Sequence, residues 1–325
     1  MIPLGIRLIS EVPVARVVEL VRYAEARGYA YCWIPEEGFT SRDVYVTTTA
    51  IAAATTGIKI GPGITNPYTR HPAVTLNAIA ALDEFSGGRA FLGLGAGGSL
   101  TLRPINVLAH DRALTRCREL IGVARRLWAG EAVSYAGARL VLHSARLAYG
   151  RRDIEIWVAS RGPKMLRMAA EHADGVYLSG IAKFALEETI TRVREGARGR
   201  ATPPRLTLAY YVVHTDEDLQ RIKPYCTYRL LDSPPEVKSR LGVTAALEAQ
   251  LNEALIQEGP HGAARLIRDD QLLPYVIHGD EAACAREIGA MITRYGIAQW
   301  VVPLAGYEKG EETIDRLRRI VALAG

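Results

Sequence analysis

The segment from Ser160 to Lys164 has the residue types and spacing of an anion-binding site. It reads Ser-Arg-Gly-Pro-Lys and stands between an apolar run that predicts a strand and an amphipathic run that predicts a helix. Gly162 allows the backbone to approach a ligand, Pro163 suits the first turn of a helix, and the amide groups at a helix start attract an anion. Arg161 and Lys164 add charge-assisted hydrogen bonds to a phosphate. We therefore predict a phosphate-binding loop here, and the alternative is a capped helix with two solvated bases.

A second candidate site lies in residues 61–72, which contain Gly61, Gly63 and three prolines between a strand-like run and a helical run. Gly permits backbone conformations that other residues resist, and Pro fixes φ and removes a hydrogen-bond donor. Loops at the carboxyl ends of parallel strands hold the chemistry of most α/β enzymes. The junction is therefore either a built site or a plain Gly-Pro loop. The small residues at 95–98, after another predicted strand, leave room for a flat ring or form a close-packed turn.

Short apolar runs alternate with longer amphipathic runs along the whole chain. Predicted strands cover residues 4–8, 29–34, 58–61, 90–94, 154–159, 175–178, 206–213 and 299–304. Predicted helices cover residues 14–27, 43–55, 72–85, 112–128, 162–172, 184–196, 280–295 and 311–323. Eight strand–helix pairs in one series favour a closed parallel barrel. The runner-up, a Rossmann-type sheet with a helical cap, would need a Gly-rich turn after the first strand, where this chain reads Ile-Ser-Glu-Val-Pro.

Two segments interrupt this series of strand–helix pairs. Residues 133–147 alternate around Gly137 and predict a β-hairpin. Residues 216–272 are largely helical in pattern and predict an excursion from the barrel. We therefore predict a single domain over residues 1–325, with insertions at about 131–149 and 216–272.

The composition is that of a soluble globular protein, with 49% apolar and 23% charged residues among 325. The net charge of +5 comes from scattered bases without a dense run, which argues against a nucleic-acid partner. The four cysteines are far apart and lack nearby histidines, which argues against disulfides and a metal site. Neither a signal peptide nor a membrane span is evident, so we expect a cytoplasmic protein that binds small molecules.

Four segments of the chain form a pattern when taken together: residues 64–72, 92–97, 126–137 and 159–166. In this order and at these separations, they resemble the luciferase-like superfamily of flavin and deazaflavin barrels. They are similar above all to its coenzyme F420-dependent branch, which includes methylenetetrahydromethanopterin reductase. The resemblance implies an α/β fold: a (β/α)8 TIM barrel of the bacterial-luciferase type with a β-hairpin insertion and a helical excursion after strand 7. It also implies coenzyme F420 as the cofactor, with FMN as the alternative.

The resemblance implies where that cofactor binds. In such proteins the ring rests at the C-terminal mouth of the barrel, against a bulge that often contains a non-prolyl cis peptide. The matching place in this chain is at or beside Gly63-Ile64, and the loop at 160–164 corresponds to the one that holds the phosphate of the cofactor side chain. The candidate cofactor contacts are Gly63, Ile64, Thr65, Ala96, Gly97, Ser160, Arg161, Gly162, Pro163, Lys164 and Met165.

The acid–base positions of this chain depart from those of its relatives. Relatives that act on alcohols carry an Asp-His pair where this chain has Glu36 and Glu37, and relatives that protonate their substrate carry an acid where it has Gly98. A glutamate needs burial to raise its pKa before it serves as a base near neutral pH. The candidate catalytic residues are Glu37, Glu36 and His71. Glu37 is the first choice for proton transfer, and His71 is alternatively a structural group at a helix start.

The leading hypothesis is an F420-dependent oxidoreductase that transfers a hydride between the deazaflavin ring and a small organic substrate, with a tetrahydromethanopterin-type one-carbon carrier as a candidate. One alternative is a luciferase-like monooxygenase that uses reduced FMN. Another is a catalytically silent flavin-binding barrel. Apolar stretches at 50–54 and 79–82, on predicted outer helices, suggest a homodimer.

Overall fold

The structure, a computed structural model, describes residues 2–105, 107, 111–137 and 139–324. The strands are β1 (Leu4–Arg7), β2 (Tyr31–Ile34), β3 (Lys59–Pro62), β4 (Phe91–Gly95), β5 (Val133–Ala136), β6 (Val141–Ala145), β7 (Glu155–Ala159), β8 (Gly175–Ser179), β9 (Arg205–Ala209), β10 (Tyr211–Val213), β11 (Val276–His278) and β12 (Gln299–Pro303). The helices are α1 (Val14–Ala26), α2 (Val44–Ala54), α3 (Pro72–Phe85), α4 (Ser99–Leu102), α5 (Ala113–Trp128), α6 (Pro163–His172), α7 (Leu186–Gly196), α8 (Asp216–Leu231), α9 (Pro235–Arg240), α10 (Ala245–Gln257), α11 (Gly259–Ala263), α12 (Asp269–Leu272), α13 (Glu281–Tyr295) and α14 (Gly310–Leu323).

Eight parallel strands form a closed barrel. Their order around the sheet is β3, β2, β1, β12, β9, β8, β7 and β4. The last strand returns to the first through parallel bridges that join Ile60 to Ala90 and Thr65 to Leu94. Each predicted barrel strand overlaps an observed one. The predicted TIM barrel is therefore confirmed, and an open doubly wound sheet is excluded.

Aromatic side chains fill the interior of the barrel. Trp33 stacks on Tyr177 with ring centroids 4.6 Å apart, and it also contacts Phe91 at 4.4 Å and Trp157 at 5.6 Å. All four residues are nearly inaccessible to solvent. Burying each such ring contributes about 1.5–3 kcal/mol to folding before entropy is counted. The barrel interior is thus a packed core, and its aromatic layer supports the loops at the C-terminal mouth of the barrel.

The predicted strand at 206–213 is two strands in the structure. β9 belongs to the barrel, whereas β10 pairs in parallel with β11, a short strand that the sequence pattern did not predict. Tyr210, between β9 and β10, stacks on Trp300 and donates its hydroxyl to the carbonyl of Ile181 at 2.9 Å. The apolar run is long because its first half packs in the barrel and its second half packs in a separate hydrophobic cluster.

That second cluster lies within the excursion formed by α8 to α12 and β11. Its buried members include Cys226, Leu230, Leu251 and Leu272. Tyr225 on α8 donates its hydroxyl to Glu11 of the β1–α1 loop, which ties the excursion to the barrel. None of the helices within the described ranges combines the length and apolar character that crossing a bilayer requires.

The apolar stretches that suggested a homodimer are mostly internal. Ile51, Ile79 and Leu82 are buried in the barrel core rather than exposed on an outer face. Exposed apolar side chains do occur on the same helices, at Val46 and Val74. The homodimer stays a prediction, because most of the apolar side chains that suggested it pack inside the chain.

Candidate functional site

A cavity of about 680 Å³ opens at the C-terminal mouth of the barrel. This volume is in the range typical of cofactor and substrate sites. Its walls come from the segments after β1, β2, β3, β4 and β7, from the end of β8, and from α8. All the segments that the sequence singled out therefore meet at one cavity, with the excursion as an added wall.

The segment after β3 forms one wall of the cavity. The peptide bond between Gly63 and Ile64 is cis, as the resemblance implied. Gly63 donates its amide to the carbonyl of Ile34 at 2.7 Å, and the Ile64 carbonyl accepts from the amide of Glu36 at 3.1 Å. A Cβ at position 63 would lie 2.6 Å from the Cβ of Trp33, so only glycine fits beside this residue. Ile64 lines the cavity and offers an apolar surface there.

Glu36 is held in one orientation by its neighbours. Its carboxylate accepts a hydrogen bond from the hydroxyl of Thr65 at 2.6 Å and from the side-chain amide of Asn66 at 3.3 Å. Thr101 donates to its backbone carbonyl at 2.9 Å. Thr65 is buried and does not line the cavity, whereas Glu36 does. Thr65, a predicted cofactor contact, thus acts in this structure on Glu36.

Glu37 lines the cavity beside Arg7. Its Oε1 accepts a hydrogen bond from Nη2 of Arg7 at 3.1 Å, and only 20% of its side chain is exposed. Burial raises the pKa of Glu37, the charge of Arg7 opposes this rise, and Asp232 adds to it. A raised pKa is the direction of shift that acid–base work near neutral pH requires of a glutamate.

The loop after β7 begins helix α6 at the cavity wall. Gly162 donates its amide to the hydroxyl of Ser160 at 3.2 Å, and a Cβ at position 162 would meet nothing within 4 Å. Ser160, Arg161, Gly162 and Met165 line the cavity. The remaining two predicted contacts of this loop, Pro163 and Lys164, are exposed and are not part of the cavity lining.

The loop after β4 lines the cavity through Ala96, Gly97 and Gly98. Gly97 has φ +82°, and a Cβ there would lie 3.0 Å from Leu102 and 3.1 Å from Asn66. The small residues therefore let this loop pack tightly against its own helix α4 while keeping space open in front of it.

His71 lies outside the cavity. Its side chain is the N-cap of α3, because Nδ1 accepts a hydrogen bond from the amide of Ala73 at 3.3 Å. The residue is exposed and is not part of the cavity lining. This geometry matches the structural role that the sequence left open, and it places no reacting group of His71 near the site.

Sequence reasoning missed the cavity residues that come from β1, β8 and α8. These include Arg7, Tyr177, Tyr228, Arg229 and Asp232. A charged residue at the end of the apolar strand β1 was a readable signal for Arg7. The residues of α8 left no such signal, because which helix of the excursion covers the barrel is decided by tertiary packing. Within the described part of the chain, no group of three His, Cys, Asp or Glu side chains is arranged to hold a metal ion.

Comparisons with known proteins show the family and the fold of the chain. The model of the luciferase-like monooxygenase family matches residues 3–299. A 5,10-methylenetetrahydromethanopterin reductase of Methanolobus tindarius is 32% identical over 305 residues, which cover 91% of this chain and 92% of the relative. The same enzyme of Archaeoglobus fulgidus is 30% identical over 332 residues, or 97% and 99% of the two chains. The solved structure of a coenzyme F420-dependent tetrahydromethanopterin reductase from Methanopyrus kandleri aligns with a TM-score of 0.85 at 26% identity, over 99% and 98% of the chains.

Proposed function

Because the chain belongs to the luciferase-like monooxygenase family, we propose that it is a coenzyme F420-dependent oxidoreductase that transfers a hydride to or from a small organic substrate. One observation supports the proposal most directly. The cis peptide segment at Gly63-Ile64, the small-residue loop at 96–98 and the start of α6 line a single cavity. Relatives that match nearly the full chain are named as F420-linked or tetrahydromethanopterin-linked reductases.

The residues of the cavity fit a flat ring with an anionic side chain. Ile64, Ala96 and Gly97 line the cavity with small or apolar groups, which leaves room for the ring. Ser160, Gly162 and the first amides of α6 suit a phosphate at the neighbouring edge. When bound, coenzyme F420 supplies a ring carbon that takes up or gives away a hydride. The residues of this chain then position the substrate and manage protons.

Two glutamates have distinct roles in this proposal. Glu36, fixed by Thr65 and Asn66 through Oε2, orients a bound ring or substrate through Oε1, which accepts no hydrogen bond from the described residues. Glu37 holds or releases a proton at its carboxyl group, since burial raises its pKa. Arg7 keeps Glu37 in place through the hydrogen bond at 3.1 Å. A reaction that moves only a hydride to a preactivated carbon requires little more, which suits a tetrahydromethanopterin-type one-carbon carrier as the substrate.

An anaerobic titration tests the proposal. Purified protein is mixed with oxidised coenzyme F420, and separately with FMN, while absorbance and fluorescence are recorded. We expect saturable spectral changes with F420 and hydride transfer to methylenetetrahydromethanopterin when the reduced coenzyme is supplied. Binding of FMN alone, with oxygen-dependent product from reduced FMN, would instead favour the monooxygenase. Tight binding of either cofactor without turnover would favour the silent barrel.

We also propose a homodimer and a cytoplasmic location. The homodimer would use the exposed apolar side chains of α2 and α3, including Val46 and Val74. Light scattering coupled to size-exclusion chromatography measures the mass directly. A mass of one chain, 35.5 kDa, at micromolar concentration would contradict the dimer.

A further inference from the structure

Arg229 on α8 is a buried cation without a counter-ion. Only 6% of the residue is exposed. Its Nη1 is buried without a hydrogen-bond partner, and within the described residues its guanidinium forms no ion pair. The guanidinium lies over the ring of Tyr211, 4.7 Å from its centroid. Buried charges in proteins are normally paired, since removing a charge from water costs several kcal/mol. Arg229 therefore lacks the partner that its burial calls for.

Arg161 lies beside Arg229 in the same cavity wall. Both side chains cover Gly180, because a Cβ there would lie 3.4 Å from Nε of Arg161 and 3.4 Å from Cγ of Arg229. Arg161 donates Nε to the carbonyl of Ser179 at 3.4 Å, while its Nη1 is buried without a partner. Burial lowers the pKa of Arg161, and the charge of Arg229 lowers it further. Two adjacent guanidinium groups thus repel each other in a partly desolvated wall.

The nearest carboxylates do not neutralise this pair. Glu37 is engaged by Arg7. Asp232, at the exposed rim, accepts a hydrogen bond from the hydroxyl of Ser99 at 3.1 Å. Neither carboxylate lies within ion-pair distance of Arg161 or Arg229 in the described structure. The negative charge of Asp232 favours the protonated form of Arg161 through space. It provides no hydrogen bond to Nη1 of Arg161 or to Nη1 of Arg229.

We propose that Arg161 and Arg229 together bind one carboxylate or phosphate group of a ligand held in this cavity. Two guanidinium forks supply the planar, charge-assisted donors that such a group accepts. Tyr177, which stacks on Trp33 in the barrel interior, lines the same cavity as both arginines. The two adjacent positive charges make the subsite selective for an anionic ligand.

The location within a catalytic cavity rests on the proposed function, but the anion contact is measurable without turnover. Inorganic phosphate and succinate serve as probes, with sodium chloride at equal ionic strength as the reference. The thermal midpoint of the full-length protein is recorded for the wild type, Arg229→Met and Arg161→Met. Arg286→Met, which changes an exposed arginine on α13, controls for the loss of one positive charge.

We expect phosphate or succinate to raise the midpoint of the wild type and of Arg286→Met by about 3 °C or more at saturation. Both cavity variants should bind the probe at least about tenfold more weakly. Without ligand, Arg229→Met should unfold at the wild-type temperature or above it, because an unpaired buried charge has been removed. The proposal is overturned if neither probe shifts the wild type, or if all four proteins respond alike. It is also overturned if Arg229→Met unfolds earlier without ligand and keeps the full response.

Two sources can supply the anionic group, and further arms of the experiment separate them. The phosphate titration is repeated with saturating coenzyme F420 and with its chromophore lacking the phosphate and side chain. A response that persists in the presence of F420 assigns the subsite to the substrate. If F420 abolishes the response to phosphate but the truncated chromophore leaves it unchanged, the subsite is assigned to the cofactor phosphate. Failure of F420 to bind would refute the proposed function while leaving the phosphate result of the free protein intact.

Discussion

Glu37 is a largely buried acid–base candidate that contacts Arg7. Its pKa is raised by burial, and Arg7 limits that rise through a hydrogen bond at 3.1 Å. A carboxyl group in this setting keeps its proton closer to neutral pH than a solvated glutamate does. The raised pKa also has a measurable consequence for stability, because a pKa that differs between the folded and unfolded states makes stability depend on pH.

We expect the free energy of unfolding of the wild type to fall, relative to Glu37→Gln, as the pH rises above 4.5, the ordinary pKa of glutamate. A group whose pKa is raised by folding binds its proton more tightly in the folded state. Its stabilising contribution is complete below the unfolded pKa and is lost as the pH rises through the folded pKa. Because glutamine resembles the protonated form, the two proteins should be similar at low pH and diverge above it.

Urea unfolding from pH 4.5 to about 8 measures this divergence. Glu84→Gln, which changes an exposed carboxylate on α3, controls for the loss of one negative charge. Curves for the wild type and Glu37→Gln that stay parallel over the whole range would show that Glu37 has no raised pKa. Such a result would also remove the physical reason for choosing it as the proton-transfer group.

The N-terminus of α3 illustrates how an element explains a residue. His71 caps this helix through Nδ1, and Pro72 occupies its first turn. An N-cap interaction of this kind contributes about 0.5–2 kcal/mol. The sequence indicated a helix start at this position, yet it could not separate a capping histidine from a catalytic one, because both are polar residues next to a candidate site. Only the direction of the side chain, away from the cavity, distinguishes them.

We therefore expect replacement of His71 to change stability rather than chemistry. His71→Ala should lower the free energy of unfolding by about 0.5–2 kcal/mol, whereas His71→Asn, which retains a capping oxygen, should recover most of it. Both variants should keep the wild-type affinity for F420 and the wild-type rate of hydride transfer. A folded His71→Asn protein that binds F420 but loses turnover would return His71 to the list of catalytic residues.

At the level of elements, the barrel could be predicted strand by strand, whereas the excursion could be predicted only as a largely helical segment. Every barrel strand produced a short apolar run next to an amphipathic helix, so local patterns specified its position. The loops at 63–65, 96–97 and 160–165 were found because Gly and Pro mark unusual backbone. β11 escaped because it is only three residues long, and β10 was merged with β9 into one predicted strand. Within the described chain these two short strands pair with each other. Arg229 escaped because its role depends on where α8 packs.

The whole molecule combines two hydrophobic cores at one cavity. The barrel core supplies the segments from β1 to β8, and the core of the excursion supplies Tyr225, Tyr228 and Arg229. Side-chain contacts join the two, among them Tyr225 with Glu11 and Ser99 with Asp232. A ligand that touches both walls adds further contacts between the barrel and the excursion, and its binding energy stabilises the arrangement of the two parts.

Hydrogen–deuterium exchange tests this coupling. On addition of saturating F420 we expect slower exchange in the loops at 63–66, 96–98 and 160–165, and also in α8, although α8 lies outside the barrel. The reason is thermodynamic linkage. Local unfolding of α8 would break its contacts with the ligand, so this unfolding costs more free energy in the bound state than in the free protein. The outer helix α13, which does not line the cavity, serves as the internal reference. Protection confined to the barrel loops would show that the excursion borders the cavity without contacting the cofactor. Such a result would argue against a contact between Arg229 and bound F420.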